Sequence, residues 1–136
     1  MTAALAPGAG AWLVMTTCPD EETAHGIART LVEERLAACG NVVPGVTSIY
    51  RWQGEIETAA ECVVLFKTQA ERLEALAHRL EELHPYEVPE FLAFPVERGL
   101  PAYLAWVAAE TEEGAAVEAP AEASIVAAVE EDPAGT

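Results

Sequence analysis

His84, Tyr86 and Glu90 fall within seven residues, spaced by Pro85 and Pro89. Each proline fixes its own φ and biases the preceding residue toward extended backbone, so this segment is stiff and mostly extended. A stiff segment can hold an imidazole and a carboxylate in a fixed relation. Imidazole, thiolate and carboxylate all ligate copper, the first two as softer donors. One reading is therefore a copper site made by His84 and Glu90 and completed by the thiol of Cys18. The plainer reading is that the Pro-Tyr-x-x-Pro segment packs a seam between subunits while His84 merely ends a helix.

The remaining reactive side chains point elsewhere. Cys39 and Cys62 sit among Leu36-Ala37-Ala38 and Val63-Val64, where a thiol behaves as a small core hydrophobe. The three cysteines form no C-x-x-C pair and no zinc-finger spacing, which fits reduced thiols in a reducing compartment. His25 and His78 occupy polar helical positions and read as solvated. Lys67 is the only lysine. It could meet an anion in a cleft between subunits, but snorkelling from a sheet edge to a nearby acid is the favoured reading. Tyr50, Trp52, Tyr86 and Trp106 can line a ligand pocket or, more simply, an interface core. There are only two serines, Ser48 and Ser124, and no triad pattern, Walker A or G-x-G-x-x-G motif. The acid pairs Glu21/Glu22, Glu33/Glu34 and Glu81/Glu82 fall on polar helix faces. No enzymatic activity is expected.

These residues need a scaffold, and 136 residues that are 51% hydrophobic can bury one. The net charge of −16 argues against nucleic acid and against an anionic membrane surface as partners. Half of that charge lies in residues 110–136, which contain no base, no aromatic, Pro120 and Pro133. The expectation is a flexible stretch over 1–11, one domain over 12–109 and a disordered acidic tail over 110–136. Within the tail, Ile125–Val129 could form a short helix against an unidentified protein partner. Met1–Gly10 has no Lys or Arg and is broken by Pro7-Gly8, unlike a secretory signal. No run approaches a membrane span. A soluble cytoplasmic protein is expected.

Apolar spacing predicts the elements. Trp12–Thr17 is a strand; Ala24, Ile27, Ala28, Leu31, Val32 and Leu36 make an amphipathic helix ended by Gly40-Asn41. A long β segment follows, with Val46, Ser48, Tyr50, Trp52 and Ile56 on one side and Glu55 and Glu57 on the other. A turn is allowed at Thr58-Ala59-Ala60. Cys62–Phe66 reads as a central strand. Thr68-Gln69-Ala70-Glu71 resembles a capping box opening a second helix, which His84-Pro85 stops. Phe91–Val96 is a last strand, its end placed at an edge or bulge by Pro95, and Pro101 starts a third helix. The order β-α-β-β-α-β-α describes an α+β, ferredoxin-like split β-α-β sheet with both main helices on one face. The other face would be bare and apolar, so burial against further copies in closed symmetry is expected.

Three blocks carry a family resemblance. Ala37 to Glu57 (AACGNVVPGVTSIYRWQGEIE), His84 to Glu90 (HPYEVPE) and Pro101 to Trp106 (PAYLAW) closely resemble the CutA divalent-cation tolerance family, over roughly residues 12–109. The resemblance implies a ferredoxin-like fold in a tight homotrimer, similar in build to the PII signalling proteins. It also implies a role in tolerance of copper and other divalent cations. One departure matters. The resemblance places a ligating cysteine two positions before Cys18 and a histidine just before His84, where this chain has Thr16 and Leu83. A shift of two along a strand keeps the same face, so Cys18 remains a candidate. Three readings stand: a metal-binding trimer, a PII-like ligand-sensing trimer, and a structural or partner-binding trimer.

Overall fold

The structure is a computed structural model that describes residues 4–113. Its elements in chain order are β1 (Ala6–Pro7), β2 (Ala11–Cys18), α1 (Glu21–Glu33), β3 (Cys39–Trp52), β4 (Glu55–Gln69), α2 (Leu73–Leu83), β5 (Leu92–Pro95), β6 (Arg98–Gly99) and α3 (Pro101–Glu110). The main sheet has the strand order β3-β4-β2-β5, with every neighbour antiparallel. Four strands in that order, with a helix after the first and the third, make the ferredoxin-like split β-α-β. β1 pairs with β6 as a separate two-stranded ribbon, inside the stretch that composition assigned to a flexible N-terminus. The acidic segment from 114 onward, including Ile125–Val129, lies outside the described residues.

The core forms because two apolar stripes meet one sheet face. Ala24, Ile27, Ala28 and Leu31 of α1 and Leu76 and Leu80 of α2 bury against Val14, Cys18, Cys62, Val64 and Phe66. Asp20 caps α1 by accepting from the Thr23 backbone N–H at 2.8 Å. The helix ends sooner than Gly40-Asn41 suggested. Arg35 takes φ 60°, its N–H bonds the Val32 carbonyl, and the Leu36 N–H bonds Leu31. That is a Schellman closure with arginine in the usual glycine place. Gly40 and Asn41 lie within β3 instead, and Gly40 allows Phe66 to press close to the strand.

Two other local expectations are corrected. The β3–β4 turn is Gln53-Gly54, not Thr58-Ala59-Ala60. Both turn residues have positive φ, 51° and 84°, as a type I′ hairpin demands. Thr58–Ala60 run inside β4 opposite Ile49, Ser48 and Thr47. Nor does Thr68 open a capping box. Its buried hydroxyl donates to the Leu36 carbonyl at 2.7 Å, and a 3₁₀ turn at Ala70–Arg72 leads into α2.

A register shift between Val43 and Val46 admits Pro44-Gly45 as a bulge, with Gly45 at φ 75°. Beyond it Val46–Trp52 and Glu55–Glu61 run on as a two-stranded arm past the end of β2, whose last pair is Cys18 with Cys62. Ile49 and Ile56 on the arm are 70% and 60% exposed. On the sheet face away from α1 and α2, Leu92 and Phe94 of β5 are also exposed. α3 covers the Gln69 end of the sheet, where the Gln69 amide donates to the Ala108 and Thr111 carbonyls.

Phe66 is fully buried at the point where both helices and three strands converge. Phe66→Ala should lower unfolding free energy by about 3–5 kcal/mol in urea denaturation. A loss below about 1 kcal/mol would show that the core is organised around other side chains.

Candidate functional site

The tight turn decides which side chains share a face. Trp52 lies opposite Glu55 and Tyr50 opposite Glu57, and directly paired residues point the same way. Continuing the alternation through the turn, as the sequence invites, assigns Ile56 to the tyrosine side. The two-residue turn reverses that parity. Ile56 pairs with Arg51 on the far side, while Glu55, Glu57 and Glu61 join Ser48, Tyr50 and Trp52.

The result is a cleft of about 550 Å³ between the arm and the loop after α2. Tyr50, Trp52 and Tyr86 supply its rings, and Glu57, Glu61, Glu87 and Glu90 its carboxylates. Among the described residues, no Lys, Arg or His lines it. The Tyr86 hydroxyl donates to Glu61 Oε2 at 2.6 Å, and the Tyr50 hydroxyl donates to Glu57 Oε1 at 3.4 Å. Glu61 is only 8% exposed. Burial, then the hydrogen bond and charge of Glu61, push the Tyr86 phenol well above its ordinary pKa. Burial, then the charge of Glu61, push the Glu90 carboxyl up. Both shifts have the same physical meaning: burial disfavours the charged form first, and the negative charge of Glu61 adds to it.

His84 holds this arrangement from behind. It caps α2 in extended conformation (φ −82°, ψ 136°). Its Nδ1 accepts the Tyr86 backbone N–H at 3.1 Å, so that nitrogen carries no proton. Nε2 is therefore the protonated one and donates to the Thr17 carbonyl at 2.7 Å. The His84 and Tyr86 rings lie 4.8 Å apart and tilted. His84 thus ties the end of β2 to the tyrosine that binds Glu61.

Of the sequence-predicted copper trio, Cys18 and His84 are brought together, with Sγ 3.9 Å from Nε2. Glu90 lies on the cleft wall with Glu61. As they stand the three do not fit a copper ion. Both His84 nitrogens are engaged, and Cys18 is fully buried on the helix-facing side of β2, its thiol pushed up to about 11 mainly by burial. A bound metal needs a thiolate and a free imidazole lone pair. Thr16, two residues earlier, faces the same core with its hydroxyl unpartnered. Among the described residues, no three His, Cys, Asp or Glu side chains are placed to hold one metal ion.

The other candidates divide. Tyr50, Trp52 and Tyr86 line the cleft; Lys67 and Trp106 do not. Lys67 donates to Asn41 Oδ1 and, at 3.6 Å, to Cys39 Sγ, so its partner is an amide and not the acid expected for it. Trp106 packs beside Tyr103 on α3, ring centres 5.6 Å apart. His78 is exposed and faces Glu82. Sequence reasoning missed Glu57 and Glu61, and the signal that would have found them is the Gln-Gly dipeptide marking the turn. Among the described residues no helix is long and apolar enough to cross a membrane.

The family model for the CutA1 divalent ion tolerance protein matches residues 12–110. "Protein CutA" of Mus musculus is 51% identical over 96 residues, 71% of this chain and 54% of its own length. The match thus spans about half of that mammalian relative. "Divalent-cation tolerance protein CutA" of Thermus thermophilus is 50% identical over 99 residues, 73% of this chain and 96% of its own. Among solved structures, CutA from Xylella fastidiosa superposes with TM-score 0.74 at 48% identity, covering 76% of this chain and 99% of that one. CutA from Synechococcus elongatus superposes with TM-score 0.77 at 37% identity, covering 80% and 96%.

The buried Cys18 thiol has an alkaline consequence. The folded chain keeps that proton to about pH 11, whereas an unfolded chain releases it near the ordinary value of 9.0. Above the lower value the unfolded state binds fewer protons, so stability falls as pH climbs through this window. Urea midpoints should drop between about pH 9 and 11, and drop less in Cys18→Ala. Equal slopes in both proteins would separate Cys18 from the alkaline loss.

Proposed function

The chain belongs to the CutA1 divalent ion tolerance family, and we propose that it acts there as a non-enzymatic, cytoplasmic homotrimer that binds divalent cations, copper among them. The observation that carries the cation reading is the cleft wall, with four carboxylates and no base. Such a wall repels anions and draws cations from solution. Its carboxylates do not converge on one point, so an ion is held largely through its own water shell. Oxygen donors favour hard cations, yet among first-row divalent ions Cu²⁺ competes best for a given oxygen site. Of the trio first read as copper ligands, Glu90 contributes to this wall, and His84 acts from behind it by fixing Tyr86.

The homotrimer rests on the arm and on the family resemblance. A lone two-stranded ribbon is marginal in water, and this one presents Ile49 and Ile56 to solvent. Neighbouring copies would bury the arm together with Leu92 and Phe94. The cytoplasmic assignment is supported by the three free thiols, two of them directly opposite each other on β2 and β4. A second reading, a PII-like ligand-sensing trimer, is favoured by the size of the cleft and its three aromatic rings.

Native mass spectrometry and calorimetry of chelator-stripped protein test this reading. A trimer should take up Cu²⁺ saturably in about 150 mM salt, where diffuse attraction is screened. Glu61→Gln and Glu90→Gln should each weaken uptake about tenfold, near 1.4 kcal/mol. Cys18→Ala should leave uptake unchanged, and so should the double variant Glu74→Gln/Glu81→Gln on exposed helix positions. Equal losses from the cleft and helix variants would reduce the effect to overall charge and reject the site. Loss in Cys18→Ala would return copper to the thiol.

A further inference from the structure

Cys18 and Cys62 face each other across the last rung that β2 makes with β4. On the helix-facing side the opposed pairs are Val14 with Phe66, Thr16 with Val64 and then the two cysteines. Both thiols are free and buried in the chain's own core, so no neighbouring copy is needed to bring them together. Directly opposed residues of an antiparallel pair have Cα atoms about 4.5 or 5.5 Å apart, according to their hydrogen-bonding type. A disulfide accepts Cα separations of about 4.4–6.8 Å, so either type suits it. Their Cβ atoms, about 4.5–5.5 Å apart in such a pair, must close to roughly 3.8 Å. The ladder can give at this rung, because it is interrupted on both sides of Cys62. β2 ends there, and β3 bulges at Pro44-Gly45 opposite it. Cys39, the third thiol, lies opposite Lys67 and outside this core cluster, and Lys67 donates to its sulfur at 3.6 Å.

We propose that Cys18 and Cys62 are a redox pair that closes into a cross-strand disulfide when the chain meets a small disulfide oxidant such as oxidised glutathione. Cys62 is the less deeply buried, 4% exposed against 0% for Cys18, so it reacts first. Its thiolate attacks one oxidant sulfur, forms a mixed disulfide and expels a thiolate, which takes up the proton Cys62 gave. Cys18 then gives up its proton, attacks Cys62 Sγ and expels the second thiolate, which that proton neutralises. Two electrons pass from the chain to the oxidant, whose S–S bond is broken as the chain's S–S bond forms. Burial, then the charge of Cys62, hold the Cys18 thiol above its ordinary pKa. A thiolate therefore suits this space poorly, and a neutral S–S bond suits it well. The bond reaches the cleft through the backbone. Thr17 and Glu61, which immediately precede the two cysteines, accept from His84 Nε2 and from the Tyr86 hydroxyl. Linking Cys18 to Cys62 fixes the spacing of those two anchors and draws Cys18 Sγ from its place 3.9 Å from His84 Nε2. None of this depends on the cleft binding a cation.

The test exposes the folded, chelator-treated full chain to oxidised glutathione, quenches with acid, alkylates the remaining thiols in urea and maps the product with trypsin. Cleavage after Arg29, Arg35, Arg51 and Lys67 puts the three cysteines on separate peptides, residues 1–29, 36–51 and 52–67. Peptides 1–29 and 52–67 should appear joined and two hydrogens lighter than their sum, from chains that run as monomers on a non-reducing denaturing gel. Dithiothreitol should part them. Oxidation should raise the urea midpoint, since the link restricts the unfolded chain, and dithiothreitol should return it. The His84 ring resonances should shift on oxidation of the natural chain and stay in place in Cys62→Val, which keeps the core apolar. The natural chain alone decides the matter if that variant fails to fold. A link through peptide 36–51, a link between chains, a link formed only in chain already unfolded by urea, or glutathione adducts without the joined peptides overturns the redox pair. So does a urea midpoint that does not rise. Unmoved His84 resonances in the linked chain overturn its coupling to the cleft.

Discussion

The register between β3 and β4 governs nearly everything else in this molecule. It is set by two backbone devices, the Gln53-Gly54 turn with two positive φ angles and the Pro44-Gly45 bulge. Side chains alternate with a period of two along a strand, so moving a turn by one residue sends an entire face to the other side. Here the turn aligns Tyr50 with Glu57 and brings Glu61 to the same side. The bulge then bends the arm away from the sheet that β2 terminates, opening a space between the arm and the loop after α2.

The second wall of that space depends on a short chain of hydrogen bonds. Helix α2 stops at His84 because Pro85 follows it. The imidazole then bridges the Thr17 carbonyl and the Tyr86 N–H, using both nitrogens. Tyr86 passes the constraint to Glu61 through its phenol. Each link satisfies a polar group that would otherwise be buried alone, which is the condition for such a network to rigidify its surroundings. The same links leave Cys18 and His84 without the thiolate and the free imidazole lone pair that a metal ion needs. The imidazole lone pair is spent, and the thiol keeps its proton in an apolar core.

Charge distribution gives the cleft its chemical character. Arg35 and Arg79 are committed to Glu110 and Glu34 on other surfaces, and Lys67 is held by Asn41. The cleft carboxylates are left facing one another and two phenols. Burial first, and the charge of Glu61 second, raise the Glu90 pKa, and a bound cation would oppose both effects. The cation affinity proposed for the cleft is thus a consequence of which partners the fold withholds as much as of which residues it gathers.

The sequence by itself determined the elements that depend on local period and punctuation. The apolar spacing of α1 and α2, the buried run at Cys62–Phe66, the stop at His84-Pro85 and the start at Pro101 are all legible, because propensity and burial act over a few neighbouring residues. So is the split β-α-β order, and so are Tyr50, Trp52, Tyr86 and Glu90 as residues of interest. Where the turn falls within a long β segment was not legible from alternation, since alternation continues on either side of it. Alternation therefore put Glu57 on the face away from Tyr50 and Trp52 and did not single out Glu61, although pairing puts both beside the tyrosines. The fate of Cys18 and His84 was likewise decided in three dimensions. Closeness in space is what a ligand set requires, and the tertiary structure supplies it. It also supplies the carbonyl and the N–H that occupy the imidazole, and those come from backbone whose position no local pattern specifies.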